Sequence, residues 1–313
     1  MKKVNLSVVI PAKNEEESVK PLYLQLTSVL KSTKKKYEII FIDDGSKDKT
    51  YEVLTQLRRK DKKVKIIKHR GNFGKSVALQ NGFNLASGEI IFTLDADLQD
   101  DPKEIPHFLK KLASGYDLVS GWKKIRHDPL SKVIPSRILN WATAKITGVD
   151  VHDINCGFKA YRRDVVKSLN LYGELYRFIP IIAASQNFTV GEIPVSHRER
   201  RYGKSKFGIE RNIKGLLDLI TIVFLTGYLK RPGHFFGTMG IVSFSVGFTI
   251  GIYITYIRLI SGSIQYRLPL LFLGVLSMIV GVQLITTGLL AELMVNFSQK
   301  NEDADKCIDK VSK

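Results

Sequence analysis

Two long stretches without a charged residue constrain this chain more than any other feature. Residues 235–257 and 268–291 contain no Asp, Glu, Lys or Arg, although only 44% of the 313 residues are hydrophobic. About 20 apolar residues in a helix cross the hydrocarbon layer of a bilayer. The short loop 258–267 joins the two stretches, which predicts a transmembrane hairpin within residues 232–297. The sequence therefore excludes a purely soluble protein.

The charge of the chain lies before this hairpin. The whole sequence has 48 basic and 30 acidic residues, a net charge of +18, and residues 1–231 account for +17 of it, with 42 basic and 25 acidic residues. Such a charge suits an anionic membrane surface or nucleic acid. Basic residues flank the hairpin on both sides, which predicts an integral membrane protein with both termini in the cytoplasm. They are Lys230, Arg231, Lys300 and Lys306, while Arg258 and Arg267 in the loop count against this orientation.

Short β-branched runs alternate with amphipathic helical segments from residue 6 to about residue 121. This alternation predicts an α/β domain with a mostly parallel sheet and helices on both faces. The predicted strands are Leu6 to Ile10, Glu38 to Ile42, Val64 to Ile67, Ile90 to Leu94 and Asp117 to Ser120. The predicted helices are Glu15 to Leu30, Lys49 to Arg59, Lys75 to Ala86 and Pro102 to Leu112. Sheets of this kind bind ligands at the carboxyl ends of their strands.

Three parts of the chain lie outside the hairpin. Residues 1–206, which include this α/β region, form one predicted cytoplasmic domain. Apolar residues recur near helical spacing in 207–231, which predicts an amphipathic helix lying on the bilayer, with an ordinary surface helix as the alternative. Residues 298–313 are polar and charged, and they predict a flexible tail.

An acidic motif follows the fourth predicted strand, with the sequence Asp95-Ala96-Asp97-Leu98-Gln99-Asp100. Two carboxylates two residues apart, at the end of a buried strand, are suited to one hard divalent cation that takes its other ligands from substrate phosphates. A solvated acidic turn is the alternative for so short a motif. The apolar run before it and its place at the strand end favour a site for Mg²⁺ or Mn²⁺.

Polar residues also follow the other predicted strands. The first strand runs into Pro11-Ala12-Lys13-Asn14-Glu15, and the second into Asp43-Asp44-Gly45-Ser46. Asp44 is a candidate acceptor for a nucleoside, whereas Ser46 and Asp48 fit the start of a helix better. Gly74-Lys75-Ser76 lacks the first glycine of a phosphate-binding loop, because position 69 is His69. Asn72 and Lys75 are instead predicted to line a helix start beside the nucleotide.

These motifs together resemble family-2 glycosyltransferases of the GT-A fold, over residues 4 to 231. More narrowly, the chain is similar to polyprenyl-phosphate glycosyltransferases. The motifs that carry this likeness are the acidic motif, Asp153-Ile-Asn-Cys-Gly-Phe-Lys159, the basic run Arg200-Arg-Tyr-Gly-Lys-Ser-Lys206 and the membrane hairpin after them. The resemblance implies transfer of a hexose from a UDP- or GDP-sugar to a polyprenyl phosphate, with inversion and a divalent metal.

The resemblance also implies residue roles. The nucleotide sugar would contact Pro11, Ala12, Glu15, Asp44, Ala96 and Gln99, with Ser205 and Lys206 closing over its phosphates. The metal would lie on Asp95, Asp97 and Gln99, and Asp95, Asp97, Asp153 and Arg200 would form the catalytic set. Asp153 would orient sugar or acceptor without acting as a base, because a lipid monophosphate is already largely ionised at neutral pH. Lys123, Lys132, Ser136 and Arg137 would hold the acceptor phosphate, with solvated surface charge as the alternative for the two lysines.

Two other functions fit parts of the sequence. One is a family-2 enzyme that acts on another lipid or glycan acceptor. The other is a non-catalytic basic domain that binds membranes or polyanions, but acidic residues at successive strand ends oppose it, so nucleic acid is not expected as a partner. The resemblance further implies self-association into a homo-oligomer, as relatives with two spans per chain suggest.

Overall fold

The structure is a computed structural model that describes residues 4–124, 144–145, 148–198 and 232–299, with side chains of the last range from 233 to 294. It divides into two compact units, one within residues 1–223 and one within 224–313. The first contains a seven-stranded sheet and its helices. The second contains the two apolar helices. The predicted membrane-surface helix 207–231 and residues 300–313 of the predicted tail lie outside the described residues.

The sheet of the first unit is mixed but mostly parallel. Its strands, in chain order, are β1 Leu6–Ala12, β2 Tyr37–Asp43, β3 Val64–Lys68, β4 Ile90–Thr93, β5 Leu118–Trp122, β6 Lys159–Arg162 and β7 Val190–Pro194. Their spatial order is β3-β2-β1-β4-β6-β5-β7. All neighbours run parallel except at β6, which is antiparallel to both β4 and β5. All five strands predicted from the sequence are present, and the mostly parallel α/β fold is confirmed.

Helices cover both faces of this sheet. They are α1 Val19–Ser32, α2 Thr50–Lys60, α3 Lys75–Leu85, α4 Ile105–Ala113, α5 Arg163–Ser168 and α6 Ile179–Ser185, with 3₁₀ turns at Pro102–Glu104 and Leu175–Phe178. The core between α1, α4 and the sheet is built from fully buried apolar side chains, among them Leu22, Leu26, Phe92 and Phe108. Burial of this kind stabilises the fold by about 1.5–3 kcal/mol per large side chain.

Two differences from the sequence prediction have clear causes. The first helix begins at Val19 and not at Glu15, because residues 15–18 form a tighter turn in which the amide of Ser18 donates to the carbonyl oxygen of Glu15. Strand β6 was not predicted, because it has only four residues and polar Lys159 and Arg162 at its ends. It places the segment from 153 to 159 beside the end of β4.

The second unit is a hairpin of two long helices, α7 Pro232–Ser261 and α8 Leu268–Gln299. Both are long and apolar enough to cross a membrane, as the sequence predicted. Glycines let the two backbones approach closely: a Cβ on Gly240 would lie 2.6 Å from the carbonyl oxygen of Gly281, and one on Gly247 would lie 2.4 Å from that of Gly274. Small residues at such a contact are typical of helices packed in a bilayer.

Candidate active site

The parallel strands bring the polar segments after β1, β2 and β4 to one edge of the sheet. Ala12, the last residue of β1, pairs with Asp43, the last of β2, and Val9 pairs with Thr93, the last of β4. The amide of Asp44 donates to the carbonyl oxygen of Ala12, at 2.9 Å. The segments predicted to bind the nucleotide and the metal therefore leave the sheet side by side, which is the usual ligand edge of such sheets.

Asp95, the first acidic residue after β4, forms an ion pair with the first residue of α3. Lys75 Nζ lies 2.5 Å from Asp95 Oδ1, and the two side chains are 26% and 32% exposed. Burial by itself raises the pKa of Asp95, but the charge and hydrogen bond of Lys75 outweigh it, so the pKa is lowered. Burial likewise lowers the pKa of Lys75, and Asp95 outweighs this effect, so that pKa is raised. Both groups are thus charged at neutral pH.

A glycine supports Asp95 from the other side. A Cβ on Gly157 would lie 2.5 Å from Asp95 Oδ2, a distance that real Cβ atoms essentially never show. The carbonyl oxygen of Gly157 accepts a 2.8 Å hydrogen bond from Thr93 Oγ1, which fixes this loop against the end of β4. Glycine at position 157 therefore lets the backbone of this loop lie directly against the Asp95 carboxylate.

Asp97 is buried in a tight turn. Its Oδ1 accepts a 3.2 Å hydrogen bond from the amide of Gln99, and Leu98 between them has φ +63°. A leucine in the left-handed region costs free energy and is found mostly where the surrounding structure requires it. Ala96 is buried, whereas Gln99 is partly exposed. The turn presents the acidic motif at the strand end, as the sequence predicted.

Two further lysines act on Asp95 electrostatically, namely Lys123 and Lys159. Lys123 Nζ lies 3.1 Å from Asp100 Oδ1, and this pairing outweighs burial and raises the lysine pKa. Lys159 is buried on β6 and donates to the carbonyl oxygen of Cys156. Burial lowers the pKa of Lys159 to about 8. Lys123, predicted to hold the acceptor phosphate, is therefore bound to the acidic motif in this structure.

Asp44 is held by internal hydrogen bonds. Its Oδ1 contacts His69 Nδ1 at 2.9 Å and accepts from the amide of Phe73 at 2.8 Å, while Oδ2 accepts from the amide of Gly74 at 3.0 Å. The far nitrogen of His69 lies 3.0 Å from Asn81 Nδ2. The carboxylate thus fixes the loop that leads into α3, directly before Lys75. The sequence predicted a nucleotide contact here and not this structural role.

The loops after β1 and β2 are joined by a second set of hydrogen bonds. The amide of Asn14 donates to Ser46 Oγ at 2.9 Å, and the amide of Lys47 donates back to Asn14 Oδ1 at 2.8 Å. Glu15 accepts from Ser18 Oγ at 2.6 Å. Ser46 therefore links the two loops. The sequence analysis had instead favoured Ser46 as the start of α2. Three nucleotide contacts were predicted here. Pro11 and Ala12 are the last two residues of β1, partly exposed and buried respectively, and Glu15 in the following loop is partly exposed.

Asp153 lies in the loop before β6 and is almost fully buried. Its amide donates to Glu192 Oε1 on β7, at 3.1 Å. The other oxygen of Glu192 lies 2.8 Å from His152 Nδ1, and the His152 ring stacks on Trp122 with centroids 4.3 Å apart. Glu192 and Trp122 thus fix the start of the loop that carries both Asp153 and Gly157.

The segment that leads into the basic run is anchored on the acidic motif. The amide of Arg198 donates to the carbonyl oxygen of Gln99, at 2.9 Å. The Arg198 guanidinium contacts Asp101 and donates to Gln25 Oε1. Arg200 follows two residues later in the sequence. Six predicted site residues lie outside the described residues: Lys132, Ser136, Arg137, Arg200, Ser205 and Lys206.

The chemistry of the acidic motif fits a hard divalent cation. Within the described ranges, no three His, Cys, Asp or Glu side chains cluster as a complete metal site. Asp95, Asp97 and Gln99 offer carboxylate and amide oxygens directly after β4, and the Asp95 side chain is 32% exposed. Mg²⁺ and Mn²⁺ accept such oxygen ligands and complete their shells with water or phosphate. These three residues are therefore suited to a metal whose remaining ligands come from a bound substrate.

Sequence relatives cover nearly the whole chain. The chain is 38% identical over 296 residues to dodecaprenyl-phosphate galacturonate synthase of Rhizobium johnstonii, a match that covers 93% of this chain and 88% of the relative. It is 37% identical to the undecaprenyl-phosphate 4-deoxy-4-formamido-L-arabinose transferase of Photorhabdus laumondii, covering 92% and 87% of the two chains. Each match extends beyond the catalytic domain predicted from the sequence.

Solved structures share the fold. One is glucosyl-3-phosphoglycerate synthase of Mycobacterium tuberculosis, crystallised with Mn²⁺ and UDP-glucose, at a TM-score of 0.54, 20% identity and coverage of 71% and 79% of the two chains. Another is mannosyl-3-phosphoglycerate synthase of Rubrobacter xylanophilus, at a TM-score of 0.56, 15% identity and coverage of 70% and 73%. The model of glycosyl transferase family 2 matches residues 7–169. The chain therefore belongs to glycosyl transferase family 2.

Proposed function

We propose that this enzyme transfers a sugar from a nucleoside diphosphate sugar to a polyprenyl phosphate at the cytoplasmic face of a membrane, with inversion at the anomeric carbon. The observation that carries the proposal is the acidic motif at the carboxyl edge of the sheet, in a chain that also has a membrane hairpin. Relatives along 92–93% of its length are named for dodecaprenyl or undecaprenyl phosphate, which supports this acceptor.

The protein's main chemical task is to stabilise the leaving nucleoside diphosphate. A divalent metal, Mg²⁺ or Mn²⁺, held by Asp95, Asp97 and Gln99, would supply positive charge to the departing diphosphate. Lys75 is placed to add a second positive charge beside the same carboxylate. The basic run, with Arg200, Ser205 and Lys206, would add further charge and close over the phosphates. Preorganised charge of this kind is often the largest contribution to catalysis.

The acceptor needs alignment and no general base. A lipid monophosphate has its second pKa near about 6, so it is largely a dianion at neutral pH. The chain's task is then to hold a phosphate oxygen in line with the anomeric carbon. Lys132, Ser136 and Arg137 remain the proposed acceptor contacts, and Lys123 would join them by leaving Asp100. Asp153 remains a proposed positioning group for the sugar or acceptor.

The hairpin would keep the catalytic domain at the headgroup level. Basic residues flanking the hairpin support a topology with both termini in the cytoplasm. Self-association through the hairpin is part of the same proposal, because two spans give each chain little helical surface to bury alone.

The test uses the full chain in lipid nanodiscs with Mn²⁺, a short polyprenyl phosphate and a panel of UDP- and GDP-sugars. Product is detected by mass. We expect one donor to give a lipid-linked sugar that disappears on chelation of the metal and in Asp97→Asn. Asp164→Asn, an exposed carboxylate on α5, serves as the matched control and should keep full activity. Parallel reactions offer diacylglycerol or a glycan in place of the polyprenyl phosphate. Transfer to one of these but not to lipid phosphate would overturn the proposed acceptor, and no transfer from any donor would overturn the proposed function.

A further inference from the structure

Lys75 occupies a fixed position at the start of α3. Gly74 before it has φ +91°, and its amide donates to Asp44 Oδ2. On the other side, the ammonium lies 5.0 Å from the centroid of the Tyr176 ring, and the amide of Tyr176 donates to Ser76 Oγ at 3.1 Å. The lysine is thus held by a pinned loop on one side and by an aromatic ring on the other. Its contact with Asp95 is a built feature of the fold.

The Asp95 carboxylate has two candidate cations, the Lys75 ammonium and the divalent metal. Lys75 Nζ is 2.5 Å from Asp95 Oδ1, and Asp95 is also a proposed ligand of the divalent metal. An ammonium at that distance and a divalent ion on the same group repel each other in a partly buried site. A metal that binds Asp95 therefore competes with Lys75 for the carboxylate. The competition eases when another anion becomes available to the lysine, and the diphosphate of the donor is such an anion.

We propose that Lys75 is the resident counter-cation of the metal site, which neutralises Asp95 until metal and nucleotide sugar bind together and then transfers its charge to the diphosphate. The inference rests on the proposed function, since it takes Asp95 as a metal ligand. This exchange makes metal and nucleotide binding cooperative. The diphosphate draws Lys75 away from Asp95 and so removes the repulsion that the metal would meet, and the metal in turn releases Lys75 to bind the diphosphate. Free metal alone then binds weakly, and the nucleotide sugar is the molecule that opens the site.

The test measures Mn²⁺ binding by electron paramagnetic resonance, with full-length protein in detergent and no turnover. Titrations are run without nucleotide, with UDP and with GDP. The variants are Lys75→Met and Lys75→Gln, with Lys75→Arg to retain the charge. Lys68→Met is the matched control, because Lys68 also lies over a tyrosine ring, 4.0 Å from the centroid of Tyr51, but at the exposed end of β3. Thermal unfolding confirms that each variant is folded.

We expect Lys75→Met and Lys75→Gln to bind Mn²⁺ without nucleotide about tenfold more tightly than the wild type, within the usual 5- to 150-fold range of coupling between sites. The gain in Mn²⁺ affinity on adding the nucleotide should shrink in both variants, while Lys75→Arg and Lys68→Met should behave as the wild type does. Unchanged or weaker Mn²⁺ binding in the two neutral variants, with wild-type binding intact, would overturn this inference alone. Absence of Mn²⁺ binding in the wild type with either nucleotide would overturn it together with the proposed metal site.

Discussion

The carboxylate after β2 and the carboxylate after β4 lie at the same edge of the sheet, yet they are held in different ways. The Asp44 side chain is 7% exposed and is used by two backbone amides and a histidine. The Asp95 side chain is 32% exposed, and its partner is the side-chain ammonium of Lys75. A carboxylate bound by backbone groups stabilises one conformation, whereas one bound by a side-chain cation can exchange that cation for another. Asp44 therefore holds its loop in place, whereas Asp95 can exchange its cation, and the nucleotide contact of Asp44 stays a prediction.

The largest expected effect on activity comes from removing the charge of the Asp95 carboxylate. Asp95→Asn keeps the volume of the side chain but removes a proposed metal ligand and leaves the Lys75 ammonium without its carboxylate. We expect kcat to fall by about 10²–10³-fold, the usual cost of losing one preorganised electrostatic group. The measurement is the rate of lipid-linked sugar formation, with Asp164→Asn as the control. Activity within about threefold of the wild type would show that Asp95 is not part of the chemistry.

A smaller loss should follow from crowding Asp95 while its charge is kept. In Gly157→Ala the new Cβ would lie 2.5 Å from Asp95 Oδ2, so the carboxylate or the loop must move. We expect kcat to fall by about tenfold or more, because misplacement by about 1 Å can cost up to about 10²-fold. Gly71→Ala is the control, since a Cβ there meets nothing within 4 Å. Equal rates for the two variants would show that the close approach at Gly157 has no role.

The carboxylate after β2 should respond differently. Asp44→Asn replaces a charged acceptor of two amide bonds by a neutral group with one donor end, and we expect it to lower the free energy of unfolding by about 1.5–3 kcal/mol. Because the loop that it fixes leads to Lys75, the KM for the donor should rise more than kcat falls. Thermal unfolding and steady-state kinetics measure the two effects. An unchanged stability with a large fall in kcat alone would contradict the structural role.

The smallest effect concerns a carboxylate at the opposite edge of the sheet. Glu38 accepts hydrogen bonds from Ser7 Oγ at 2.6 Å and from the amide of Ser87 at 2.7 Å, and it pairs with Lys65. Burial raises the pKa of Glu38, but these partners outweigh burial, so the folded pKa lies below its ordinary value of 4.5. Its contribution to stability is complete above about pH 4.5 and is lost as the pH falls through the folded pKa.

Glu38→Gln should therefore remove part of the acid dependence of stability and leave transfer activity nearly unchanged at neutral pH. Unfolding midpoints of wild type and variant, measured between about pH 3 and pH 7, test this. The difference between the two proteins should narrow as the pH falls below about 4.5. A constant difference across that range would mean that Glu38 does not titrate with folding.

Sequence reasoning was most successful where a pattern reports directly on burial. Apolar runs identified five strands and both long apolar helices of the hairpin, because a run of apolar side chains must be kept from water. The acidic motif was placed correctly at the end of β4, since the carboxyl end of a strand follows from the alternation alone. Strand β6 was missed because its pairing partners are distant in sequence and its residues are partly polar.

The partners of the site residues were harder to predict. Asp44 and Asp95 both follow buried strands, so the sequence alone predicts a ligand contact for each. The register between strands and the positive φ of Gly74 determine that backbone amides bind Asp44 and that Lys75 pairs with Asp95. Gly157 stood in a motif that carried the family resemblance, but its contact could not be predicted, because it depends on the approach of a side chain about 60 residues away in sequence.

The most direct test is a structure of the full chain in lipid nanodiscs with Mn²⁺ and the donor's nucleoside diphosphate. We expect metal density on Asp95 and Asp97, with Lys75 Nζ moved from Asp95 to the diphosphate. The amides of Phe73 and Gly74 should remain hydrogen-bonded to Asp44. Metal density away from Asp95, or a Lys75–Asp95 ion pair unchanged beside bound metal and diphosphate, would contradict the first expectation.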